Sequence, residues 1–183
     1  MRNLLGGEPV VPSLTWETLS EVLGRRLRLP GGGITPEGVV NEYRRLYPDY
    51  SPSDVFFAAM TAGGLWKGIV VESEKRVAQG GATYTYCVNW PGGLHAMHAI
   101  DIPLVFNNIE SNARAKRSAG AQTMADLMSD ALIAFSRSGN PGTPALPAWP
   151  RFNVEQRPTM IFDLPPRVEN DPRGAERKLF ADE

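Results

Sequence analysis

Strands are scarce in this chain, and that limits what it can fold into more than any other feature. Only one stretch alternates cleanly. From Thr83 to Trp90, the residues Tyr84, Tyr86, Val88 and Trp90 fall on one side and Thr83, Thr85, Cys87 and Asn89 on the other, which is the period of two that marks a strand. Thr159 to Phe162 is one further short apolar candidate. The run Ile102-Pro103-Leu104-Val105-Phe106 carries a proline that suits a strand or helix end better than a sheet interior. A sheet of two strands is not independently stable, so the chain makes a poor complete α/β domain.

Helices dominate the remainder. Thr15 caps a helix whose Leu19, Val22 and Leu23 share a face, with Gly24 near its end. After the linker Gly31-Gly32-Gly33, Thr35-Pro36-Glu37 starts a second helix that Pro48 stops. Ser51-Pro52-Ser53-Asp54 caps a third, Val55 to Ala62. Gly63-Gly64 reads as a break before a fourth, Leu65 to Ala78, with Trp66, Ile69, Val70 and Val77 turned inward. The most regular helix places Met124, Leu127, Met128, Ala131, Leu132 and Phe135 on one face and closes at Arg137, Gly139 and Pro141. The chain therefore divides into a mainly helical part (13–78), a strand and loop (82–106), a helix (118–138) and a proline-rich tail (139–183) that wraps a larger body.

Composition narrows the class. The 183 residues carry a net charge of −1 and are 42% hydrophobic, a globular balance that argues against a surface built to capture nucleic acid or an anionic membrane. The 18 glycines and 16 prolines favour short elements with many connections. No apolar run reads as a secretory signal or a transmembrane span, so the default expectation is a cytoplasmic protein. Cys87 is the single cysteine, which excludes an intramolecular disulfide and any multi-cysteine metal site. Inside a strand it is most simply a small buried hydrophobe.

Two histidines, His95 and His98, share one glycine-rich loop. No His-Glu-x-x-His arrangement accompanies them, so neither a metal nor a cofactor is implied. A loop histidine after a strand is well placed for general-base work, because imidazole titrates near neutrality. Such a base needs a nucleophile, and none is evident. Phe135-Ser136-Arg137-Ser138-Gly139 has phenylalanine where a Gly-x-Ser-x-Gly elbow needs its first glycine, and it ends a helix. The triplet at 31–33 lacks the Lys-Ser/Thr of a phosphate loop. Arg25, Arg26 and Arg28 lie where a helix C-terminus attracts cations.

The stretch Gly92-Gly93-Leu94-His95-Ala96-Met97-His98-Ala99-Ile100-Asp101-Ile102-Pro103-Leu104-Val105-Phe106 resembles the catalytic-histidine region of type-B carboxylesterases, the family that includes the cholinesterases. That region runs His-x-x-Glu/Asp-Ile/Leu-Pro-Phe/Tyr-Val-Phe, and here Leu104 replaces the aromatic. Ala134-Phe135-Ser136-Arg137-Ser138-Gly139-Asn140-Pro141, Leu146-Pro147-Ala148-Trp149-Pro150, Thr159-Met160-Ile161-Phe162-Asp163 and Arg167-Val168-Glu169-Asn170-Asp171-Pro172 follow in family order. Upstream, Leu14-Thr15-Trp16-Glu17-Thr18-Leu19 and Tyr47-Pro48-Asp49-Tyr50-Ser51-Pro52-Ser53-Asp54 resemble helices ahead of that histidine in bacterial members.

The resemblance implies a partial α/β-hydrolase, mostly helical, with the last strands of the sheet. It assigns the family's general base to His98 and makes Asp101 a buried carboxylate supporting it from outside the triad. Family order is Ser, then Glu or Asp, then His. The serine, the oxyanion hole and the acid are therefore expected upstream, and Glu8 does not match the acid. This implies the last third of a serine ester hydrolase, starting at an internal methionine or a broken reading frame and inactive by itself. Its substrate would be a small carboxylic ester once the N-terminal part is supplied. The alternative is a non-catalytic remnant or interaction module of the same family.

Overall fold

The computed structural model describes residues 14–29, 34–91 and 99–181. Its helices are α1 (Trp16–Arg26), α2 (Pro36–Leu46), α3 (Pro52–Met60), α4 (Lys67–Ala78), α5 (Asp101–Val105), α6 (Ala113–Arg117), α7 (Ala121–Ser138) and α8 (Gly174–Leu179). The strands are β1 (Thr85–Val88), β2 (Pro158–Phe162) and β3 (Arg167–Asn170). Two compact units result, one within 1–72 and 173–183, the other spanning 73–172.

In the helical unit the caps read from the sequence are in place. The Thr35 side chain accepts the Gly38 amide at 3.1 Å, with Pro36 opening α2. Ser51 and Asp54 cap each other at α3, the Asp54 amide reaching Ser51 Oγ at 3.2 Å and the Ser51 amide reaching Asp54 Oδ2 at 3.0 Å. Both caps satisfy amides that the first helical turn leaves unbonded, and the one at α3 is reciprocal. Leu19, Leu23, Val39, Tyr43, Val55, Ala58 and Ala59 fill the interior.

Gly63-Gly64 does not break the chain as the sequence reading expects. Thr61–Trp66 forms a π-helical turn that joins α3 to α4. A Cβ on Gly63 would stand 2.8 Å from Leu27 Cδ1 and 3.1 Å from the Phe180 ring, so glycine is there for close packing and not to stop the helix. The 27-residue run Pro52–Ala78 is in consequence long and apolar enough, by length and composition, to cross a membrane, where the sequence reading saw no such span. Val55, Phe56, Ala58, Ala59, Ala62, Trp66 and Val70 of this run are buried within the protein. Ile69, expected inward, is exposed because the buried positions Trp66, Val70 and Ser73 leave it beside their stripe.

In the other unit the strand order is β1-β2-β3. β1 pairs with β2 in parallel, Thr85 opposite Thr159 and Cys87 opposite Ile161, while β3 runs antiparallel to β2. The central strand β2 is buried throughout. β3 had no strand signal in the sequence. β1 is shorter at both ends than the alternating stretch 83–90.

One sheet face, with Met160 and Phe162, shares a core with Trp90, Ile100, Leu104, Met124, Met128 and Ala131. Trp149 meets Phe162 edge-on at 5.7 Å. On the opposite face Thr85 Oγ1 donates to the Pro158 carbonyl at 2.9 Å. Leu132 and Phe135, expected to complete the buried face of α7, are instead exposed. Phe135 continues the stripe past the cover that three strands provide, and its ring touches Tyr84 edge-on at 6.1 Å.

Candidate active site

The segment that carries the family-like histidine leaves one core element and enters another. On its upstream side, β1 ends at Val88 and Trp90 is buried, its indole N–H donating to the Ala119 carbonyl at 3.1 Å. On its downstream side, Ala99 adopts a left-handed backbone at φ 63° and α5 follows at once. His98 and His95, with Gly92 and Gly93, lie outside the described residues.

α5 is five residues long and relies on tertiary anchors, since so short a helix has little stability of its own. Pro103 and Leu104 are buried. Proline is tolerated here because the first turn of a helix leaves its amide unbonded, and of the strand or helix end that the sequence allowed, the structure has the helix. The Asn108 amide reaches the Pro103 carbonyl at 2.8 Å. Asn107, left-handed at φ 48°, donates to Asp126 Oδ1 at 3.0 Å and accepts from Gln122 Nε2 at 2.8 Å. These bonds tie the end of α5 to α7.

Asp101 is half-buried, not buried as the sequence reading expected. Its Oδ2 accepts the Tyr86 hydroxyl at 3.3 Å, which links the start of α5 to β1. Burial pushes the Tyr86 phenol up to about 12, and the Asp101 charge and the shared hydrogen bond add to the shift. Tyr86 therefore stays a proton donor at any pH near neutrality. Its ring also meets Phe162 edge-on at 5.8 Å. The sequence reading placed Tyr86 on a strand face and gave it no part in the site, because nothing local connects residues fifteen positions apart. Cys87 is half-buried, its Sγ 3.4 Å from Asn89 Oδ1. Among the described residues no group of three or more His, Cys, Asp or Glu side chains could hold a metal ion.

The model of the carboxylesterase family matches residues 56–180. This chain belongs to the carboxylesterase family. The para-nitrobenzyl esterase of Bacillus subtilis strain 168 is 37% identical over 89 residues, which make up 46% of this chain and 18% of that protein. Among solved structures, the Geobacillus stearothermophilus carboxylesterase EST55 superposes with a TM-score of 0.74 at 25% identity, covering 90% of this chain and 34% of that one. An esterase from Clostridium hathewayi matches with a TM-score of 0.61 at 26% identity, covering 92% of this chain and 33% of its own. The chain thus spans about a third of the length of these structures. Its helices and three-stranded sheet are a partial α/β-hydrolase fold.

Proposed function

We propose that this chain supplies the general-base histidine, His98, to a serine hydrolase of small carboxylic esters. The supporting observation is that the family match spans residues 56–180, a range within which His98-Ala99-Ile100-Asp101-Ile102-Pro103 falls. On this reading the nucleophilic serine, the oxyanion donors and the triad acid precede the histidine in the family's chain order, and coverage of only about a third of each solved relative leaves room for them there.

In that arrangement the His98 imidazole takes the serine hydroxyl proton as the oxygen attacks the ester carbonyl. It then returns the proton to the departing alkoxide, leaving an acyl-enzyme. Water repeats the sequence on the acyl group, with His98 again taking and returning one proton. Asp101 steadies the segment through Tyr86 and is not the triad acid, since only two residues separate it from His98 along the chain.

The purified chain offered a short-chain nitrophenyl ester is expected to give no enzyme-like turnover, because the covalent step has no activated serine and no oxyanion hole. Turnover by the chain alone, removed by His98→Ala, would overturn this division of the site. When the other two-thirds is supplied, kcat/KM is expected to rise along a limb near the ordinary imidazole value of ~6.5. A flat profile from pH 5 to 8 would argue against a histidine base.

A further inference from the structure

We draw no further inference here: the strongest candidate, the surface row of exposed prolines Pro144, Pro147 and Pro150 on the connection from α7 to β2, carries nothing, because the intervening Leu146 and Trp149 pack in or against the core and are closed to a proline-binding groove, and nothing in the structure shows what covers the row.

Discussion

Glu176 is 2% exposed, and a carboxylate so deeply placed survives only if its oxygens are fully engaged. Tyr43 Oη donates to it at 2.6 Å and Tyr47 Oη at 2.8 Å, while Arg173 grips it through Nε and Nη2, each at 2.9 Å. These bonds dock α8 onto α2. Replacing Glu176 with Ala is expected to lower stability by ~3–5 kcal/mol, because it strands the partners of a buried charge. Tyr47→Phe should cost about 1.5–3 kcal/mol for one charge-assisted bond. Urea unfolding followed by circular dichroism measures both, and unchanged midpoints would contradict the role given to Glu176. Burial, followed by the Glu176 charge, pushes the Tyr43 and Tyr47 phenols well above their ordinary range. A phenol raised on folding stabilises the fold fully below its unfolded value of ~10. That contribution is lost as pH climbs toward the folded value. For Tyr86 the window closes at about 12. Ultraviolet titration should show, among the late-ionising phenols, one that is absent in Tyr86→Phe and ionises earlier in Asp101→Asn, and an unchanged curve in Asp101→Asn would break the Tyr86–Asp101 link.

Adjacent glycines act differently at the level of the element. Gly63 faces Leu27 and Phe180, whereas nothing lies within 4 Å of a Cβ built on Gly64. Gly63→Ala should therefore cost ~1–3 kcal/mol through overpacking, and Gly64→Ala should gain up to ~1 kcal/mol from reduced backbone freedom in the unfolded chain. Thermal melting should move in opposite directions for the two variants; a shared direction would contradict the packing account. The same pair marks the limit of what the sequence can tell. Helix starts were legible because a cap is a local event, as Thr35-Pro36 and Ser51-Pro52-Ser53-Asp54 demonstrate. The glycine pair was misread because close packing against Phe180 arises from chain more than a hundred residues away. β3 escaped notice because Arg167 and Glu169 share a face and pair with each other at 2.7 Å, leaving Val168 as the only apolar residue of the strand. At the candidate site the sequence points to His98 through its ordered neighbours, and His98 lies outside the described residues. Tyr86 was not legible, since its tie to Asp101 depends on the fold.

The whole molecule pairs well-filled interiors with a sheet of three strands and an exposed fringe that includes Phe106, Ile102, Phe135 and Leu132. Free in solution, a chain with such a fringe is expected to self-associate as concentration rises. Light scattering across a concentration series checks this, and a monomer at every concentration would mean that the fringe needs no cover. The chain matches about a third of each solved relative, and the proposed function assigns to the remaining two-thirds the serine that His98 would serve. The decisive measurement is ester turnover by the chain mixed with the upstream two-thirds of EST55, run in parallel with the His98→Ala chain at equal binding. The account predicts turnover that neither part shows alone and that falls by ~10³-fold or more without the imidazole. Turnover undiminished in His98→Ala would contradict it.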